Sequence, residues 1–292
     1  MITITAPTSS IGRQLVNRLI DREAPLRVVA RDPNRLPVAV RDYAQVVEGS
    51  HGDPDVVATA FDGADAVFWL VPPNPSADSV RATYVDFTRP ACDALCAGNV
   101  SRVVGISALG RGVARNAGFV TASLEMDDLI AGTGVNYRAL AMPSFMDNLL
   151  RQVDPIRNRG VFFSPIDGDR KMPSCATGDI AAAAATLLLD ENWSGVGSVP
   201  VLGPEDLSYN DMAAIMSEVL RRPVRFQQID GLAYKATLVA SGMSDAMAQG
   251  MLDMALAKND GLDNAEPRTC DASTPTTFRQ WCQDVLQPAL IA

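Results

Sequence analysis

Six short runs of aliphatic and β-branched residues, separated by longer stretches of helical periodicity, constrain this chain most. The runs are ITIT (2–5), LRVVA (26–30), AQVVE (44–48), DAVFWLV (65–71), RVVGIS (102–107) and VNYRALAM (135–142). Between them, Ile11, Leu15, Val16, Leu19 and Ile20 recur at helical spacing, and helices are expected over about 79–97 and 122–131. Runs that are apolar throughout are those of strands buried on both faces, which implies a parallel sheet covered by helices. Right-handed crossovers then give a doubly wound α/β (Rossmann) sheet.

After Pro143 the pattern changes. RGVFFSP (159–165) and KMPSCATGD (171–179) read as loops and short strands, 180–189 as an Ala/Leu helix, and VPVLG (199–203) as a further strand. From Ser208 helices dominate, with one strand at VRFQQI (224–229). The expected division is a main α/β domain over 1–154, to which 174–204 returns. A smaller, mainly helical lobe over 155–173 and 205–292 is expected to stand over the sheet's carboxyl edge, where such folds bind ligands.

Composition narrows the function. With 292 residues the chain can bury a large core. A net charge of −9 opposes non-specific attraction to nucleic-acid phosphates. Five scattered cysteines without paired CxxC spacing argue against a disulfide framework or zinc, and one histidine, His51, against a His-rich metal centre. No metal is expected. Strand-like residues begin at Ile2 without a basic leader, and no apolar stretch is long enough for a membrane span, so a cytoplasmic setting is expected. Neither nucleic acid nor membrane is expected as a partner; a homodimer is compatible with the sequence.

The turn after the first run, TAPTSSIGRQL (5–15), is placed where a dinucleotide's pyrophosphate meets a helix N-terminus. Thr8, Ser9, Ser10, Ile11 and Gly12 are the candidates there; an ordinary strand–turn–helix with a serine cap is the competing reading. Run two is followed by Arg31-Asp32-Pro33-Asn34-Arg35. An acid ending this strand suits a ribose 2′-hydroxyl and an arginine suits a 2′-phosphate, so Arg31 and Arg35 point to NADPH, against a merely solvated helix start. Asp53 suits either the adenine amino group or the cap of the helix opened by Pro54, and His51 reads as a surface loop residue. Leu70-Val71-Pro72-Pro73 and Ile106-Ser107-Ala108-Leu109-Gly110 end the fourth and fifth runs and should border the cofactor cleft. Ser107 suits contact with nicotinamide or a substrate carbonyl, or the satisfaction of backbone groups. Leu109, Phe145, Met146, Phe162 and Phe163 are candidates for walling a flat substrate, with core packing as the alternative. Met243, Met247, Met251 and Met254 read as one helical stripe, either pocket or core.

TAPTSSIG, VARDPNRL, HGDPDVVATAFDGADAVFWL, VVGISALG and SFMDN stand in an order and spacing that resemble NmrA-like atypical short-chain dehydrogenases/reductases, the group of triphenylmethane reductase and NADPH–quinone oxidoreductases. The resemblance extends to about Met254. It implies an NADPH-binding Rossmann domain in which Val71 and Pro72 flank the dinucleotide and Ile106 and Ser107 border nicotinamide. Departures are visible. Ala6 and Ser9 replace two glycines of the family's TGATGxxG, Thr121 stands where a His or Lys precedes Glu125, and Ala141 replaces an arginine. No Tyr-x-x-x-Lys pair occurs. Thr121 and Ser107 are the catalytic candidates. The function expected is an NADPH-dependent reductase transferring hydride to a small aromatic or conjugated molecule such as a quinone, enone, iminium or dye; a non-catalytic NADP-binding redox sensor is the alternative.

Overall fold

The computed structural model describes residues 1–72, 74–98 and 100–291; Pro73, Asn99 and Ala292 lie outside the described residues. The first half runs β1 (Ile2–Ile4), α1 (Ser10–Ile20), β2 (Leu26–Ala30), α2 (Val38–Tyr43), β3 (Gln45–Glu48), α3 (Pro54–Phe61), β4 (Ala66–Trp69), α4 (Phe87–Ala97), β5 (Arg102–Ala108), α5 (Phe119–Ala131) and β6 (Asn136–Met142). The chain then leaves through β7 (Ser144–Phe145), α6 (Val153–Arg159) and β8 (Val161–Ser164), and returns through β9 (Met172–Cys175), α7 (Thr177–Leu189) and β10 (Val196–Pro200). The remainder holds β11 (Asp206–Leu207), α8 (Tyr209–Leu220), β12 (Arg225–Gln228), α9 (Gly231–Ala240), α10 (Asp245–Asn259), α11 (Phe278–Trp281) and α12 (Gln287–Ile291).

Seven strands form one sheet in the order β10-β6-β5-β4-β1-β2-β3, with every pair parallel. Alternation along each strand divides the core. Ile4, Phe68, Val104 and Leu140 pack with Leu15 of α1 and Ile180 and Ala184 of α7. Val67, Trp69, Val103 and Tyr137 face Val57, Ala91, Met126 and Ile130 of α3, α4 and α5. Each such fully buried large side chain contributes roughly 1.5–3 kcal/mol through removal from water, which is why these apolar runs dominate the fold. The order reverses between β1 and β4, so the crevice used for ligands in such sheets opens there.

Two sequence expectations shift. The last strand is Val196–Pro200 and not 199–203, because it lies at the sheet's edge, where Val196 is exposed while Val201 and Leu202 are buried just beyond it. The four-methionine stripe is not a single helical row. Ser244 caps α10, so Met243 precedes the helix, whereas Met247 is buried. The long helix before β5 also carries a π turn, Ala82–Asp86, immediately ahead of the segment with Pro90. A proline's missing N–H and its ring, which crowds the carbonyl four residues earlier, are accommodated by that wider turn.

The late helices close over the carboxyl ends of β4 and β5. The Ser244 N–H donates to Pro75 O at 2.9 Å and its hydroxyl to Ala77 O at 2.5 Å. Gly118 approaches α10 so closely that a Cβ would stand 2.0 Å from Gly250 O, and its φ of +52° is one that glycine adopts freely. Leu202 donates to Ala272 O at 2.7 Å, tying the stretch after β10 to the chain's last segment. Met146, Phe162, Met212, Met216, Phe278 and Trp281 form a separate apolar core beside the sheet. No helix of the described residues is long and apolar enough to cross a membrane.

Candidate dinucleotide and substrate site

The β1–α1 turn keeps a tight form without its first two family glycines. Ala6 occupies the left-handed region at φ +48°, a conformation that costs a non-glycine residue about 1–2 kcal/mol. Ser9 caps α1: its hydroxyl donates to Ala6 O at 2.8 Å and accepts from Gly12 N–H at 3.0 Å. A Cβ on Gly12 would lie 2.2 Å from Ala6 O, so glycine is required there. Among the described residues, the N–H groups of Ser10 and Ile11 have no backbone acceptor. These two donors, at the positive end of an eleven-residue helix on the sheet's carboxyl edge, fit a pyrophosphate. Thr8 is half-buried beside them, and the Ser10 hydroxyl lies 3.4 Å from Thr177 Oγ1. Ser9 thus has its hydroxyl committed to the turn itself.

At the end of β2, Arg31 and Arg35 are exposed, and neither forms an ion pair among the described residues. Asp32 turns away into a cap, accepting from Asn34 N–H at 3.0 Å. Asp53, also exposed, caps α3 through one carboxylate oxygen, which accepts from Asp55 and Val56 N–H. His51 corrects the sequence expectation of a surface residue. It is buried, its Nε2 lies 3.0 Å from Leu70 O, and it meets Trp69 and Phe87 edge-on. Burial pushes its pKa down to about 4, with Arg31 adding to the shift and the Leu70 hydrogen bond opposing it. The imidazole is therefore neutral near pH 7 and donates to the end of β4. Val71, buried, and Pro72, half-buried, follow that strand end; Pro73 is outside the described residues.

The end of β5 carries a buried polar network. Ser107 Oγ donates to Asp127 Oδ2 at 2.5 Å, Tyr137 Oη donates to Asp127 Oδ1 at 2.7 Å, and Arg111 reaches Oδ2 at 3.1 Å. Gly105 makes this reachable, because a Cβ there would stand 2.2 Å from the Tyr137 hydroxyl. Burial raises the Asp127 pKa against the opposing pull of Ser107, Tyr137 and Arg111. Ser107, expected to contact nicotinamide or backbone, is buried and bonded to this carboxylate, while Ile106 is half-buried on the opposite face of the sheet. Thr121 is half-buried near the start of α5, and its oxygen accepts from Ala117 N–H at 2.9 Å. Glu125 pairs with Arg81 at 2.7 Å.

The proposed aromatic wall is largely core. Leu109 packs with Ala141, Leu202 and Ala272; Met146 and Phe162 lie in the core beside the sheet, where Phe162 meets Tyr209 and Phe226. All three are buried, and an apolar side chain at a strand end is served as well by a covering lobe as by a ligand. Phe145 and Phe163 keep partial exposure, Phe163 beneath the Arg159 guanidinium. The sequence reading missed Asp127, although it lies four residues after buried Ser123 and three before buried Ile130, on the inner face of α5. It also missed Asp147, which accepts from the Thr177 N–H and hydroxyl and so holds the start of α7 near α1. No group of residues with metal-ligand arrangement occurs among the described residues.

Comparison with known proteins shows the family. Residues 8–191 match a family model described as NAD(P)H-binding. The chain is 30% identical over 285 residues to a (4-alkanoyl-5-oxo-2,5-dihydrofuran-3-yl)methyl phosphate reductase of Streptomyces griseus, covering 96% of each protein. It is 27% identical over 263 residues to an NAD(P)H azoreductase of Xenophilus azovorans, covering 90% of this chain and 89% of that one. The structure of an NADPH-dependent quinone oxidoreductase from Escherichia coli, complexed with NADPH, shares the fold at a TM-score of 0.81 and 21% identity, covering 98% of this chain and 100% of that one. With more than half its length inside the family model, this chain belongs to the NAD(P)H-binding family.

Proposed function

We propose that this protein is an NADPH-dependent reductase that delivers hydride to a flat conjugated acceptor such as a quinone, enone, iminium or dye. The observation that carries this reading is the pair of N–H groups of Ser10 and Ile11, without a backbone acceptor among the described residues, opening α1 beside Gly12 within a family match that begins at Thr8. Those donors hold the pyrophosphate, and Arg31 and Arg35 take the 2′-phosphate through charge-assisted hydrogen bonds. Bound NADPH supplies the hydride, and the protein's part is to orient both partners and keep water out. The lobe over 155–173 and 205–292 covers the cleft from above, while 1–154 with 174–204 carries the dinucleotide. Reductase, azoreductase and quinone oxidoreductase are the activities named for the relatives and the structural neighbour, which supports a conjugated acceptor.

The absence of a Tyr-x-x-x-Lys pair favours acceptors whose reduced form solvent protonates. In this reading Thr121 and Ser107 are the polar side chains that meet substrate and nicotinamide. The test is NADPH oxidation across a panel of quinones, enones and cationic dyes, paired with a binding titration. Turnover with at least one acceptor is expected. Tight NADPH binding without turnover across the panel would replace this reading with a dinucleotide-binding sensor, and no binding at millimolar NADPH would end both.

A further inference from the structure

Hydroxyl polarity divides the two candidates at the β5–α5 end. Asp127 accepts from Ser107, Tyr137 and Arg111, so as a carboxylate it offers only lone pairs to each. Ser107 therefore spends its single hydrogen on Asp127 and retains only lone pairs for anything beyond the end of β5. Thr121 is the reverse: its oxygen already accepts from Ala117 N–H, and its hydrogen has no acceptor among the described residues. The arrangement is buried and held from several elements. Asp127 is 2% exposed, Tyr137 crosses Gly105 to reach it, and Arg111 also binds Asp128 at 2.7 Å, tethering the loop after β5 to α5.

We propose that Asp127 is a positioning residue that fixes Ser107 as a hydrogen-bond acceptor, so that Ser107 takes an N–H of the nicotinamide carboxamide and Thr121 is left as the donor to the substrate's oxygen. This rests on the reading of the cleft as an NADPH site. Removing the Asp127 acceptor frees the Ser107 hydrogen and abolishes the preset polarity. Removing the Ser107 hydroxyl abolishes the contact itself.

The experiment compares dissociation constants for NADPH and for its acetylpyridine analogue, in which a methyl ketone replaces the carboxamide and no N–H remains. Binding is followed by fluorescence for the wild-type protein, Ser107→Ala, Ser107→Thr and Asp127→Leu. One neutral hydrogen bond corresponds to a preference of roughly three- to tenfold for NADPH in the wild type. That preference should fall to within about twofold in Ser107→Ala and Asp127→Leu, and return in Ser107→Thr. A role limited to stability would lower both affinities together and leave the ratio intact, which overturns the inference. An unchanged ratio in Ser107→Ala alone overturns it too, even if Asp127→Leu does not fold. If the wild type binds NADPH with no preference over the analogue, this inference fails while the NADPH reading stands; if it binds neither, both fail.

Discussion

At the β1–β3 end of the carboxyl edge, Arg31, Arg35 and Asp53 are exposed, and the two arginines are unpaired among the described residues. At the β5–α5 end, Ser107 and Asp127 are buried, Thr121 is half-buried, and all three are hydrogen-bonded within the chain. The first end is a set of side chains standing on a finished scaffold. The second is scaffold and candidate site at once. Substitutions at the first end should therefore change ligand choice and spare stability, whereas those at the second mix the two. The exception at the first end is its floor, where Gly12 and His51 are buried.

The largest effect is expected at that floor. Gly12→Ala places a Cβ 2.2 Å from the Ala6 carbonyl, and backbone cannot yield as a side-chain tip does. Overpacking of this kind costs roughly 1–3 kcal/mol, and the displaced helix start also loses its alignment with a pyrophosphate. A fall in melting temperature together with loss of NADPH binding by about a hundredfold, measured by calorimetry, is the expected result. Unaltered binding would show that the turn is not where the dinucleotide's phosphates sit.

His51 comes next. Its pKa is depressed in the folded state, from 6.5 to about 4, so the unfolded chain takes up the proton first as pH falls. The contribution is fully present above about pH 6.5 and is lost as pH falls toward 4, by about 3 kcal/mol in all. Chemical denaturation at stepped pH should show that loss, and His51→Phe should flatten it across the same window. An equal slope in both proteins would show that the imidazole takes up its proton equally in the folded and unfolded states.

How far these two ends were legible differs for physical reasons. β4 is visible in DAVFWLV because a strand covered on both faces admits almost no polar residue, and Ala66–Trp69 are all buried. Exposed cofactor candidates were also nameable, since Arg31 needs only its place after β2. The β5 end was not. Ser107 is bonded to a residue 20 positions away, and no local pattern announces such a pair. For Leu109, Met146 and Phe162 the sequence leaves pocket and core both open, because an apolar residue at a strand end has the same signature whether it meets a ligand or a lobe. The short edge strand β10 shifted for a related reason: its exposed face removes the apolar signal that marks the central strands.

A smaller effect is expected from Arg31→Ala. Because the side chain is exposed and forms no ion pair among the described residues, the melting temperature without ligand should stay nearly unchanged. Each charge-assisted hydrogen bond lost should cost ~1.5–3 kcal/mol, weakening NADPH by at least roughly tenfold while NADH barely changes. Equal losses for the two cofactors would sever Arg31 from the 2′-phosphate and weaken the contrast between the ends.

The smallest effects on turnover belong to the hydroxyls themselves. A dedicated general acid contributes ~10²–10⁴-fold, and its hydroxyl or acid must carry a proton that it can release toward substrate. Ser107 points its hydrogen at Asp127, so it is poorly set for that task. Thr121 keeps a hydrogen but, as an alcohol with one backbone contact, offers a hydrogen bond rather than a ready proton. Ser107→Ala and Thr121→Ala should each lower turnover less than about tenfold with the best acceptor, because positioning and solvent protonation carry the rest. Steady-state NADPH oxidation by both variants, beside a cofactor-binding control, measures this directly. Thr121→Ala should act chiefly on the acceptor's KM, since its hydrogen serves substrate oxygen, while Ser107→Ala should act on the cofactor's. A thousandfold fall in turnover at either position, with both binding constants unchanged, would identify a true proton donor. The buried end of the cleft would then do acid chemistry for which its hydrogen bonds give no sign.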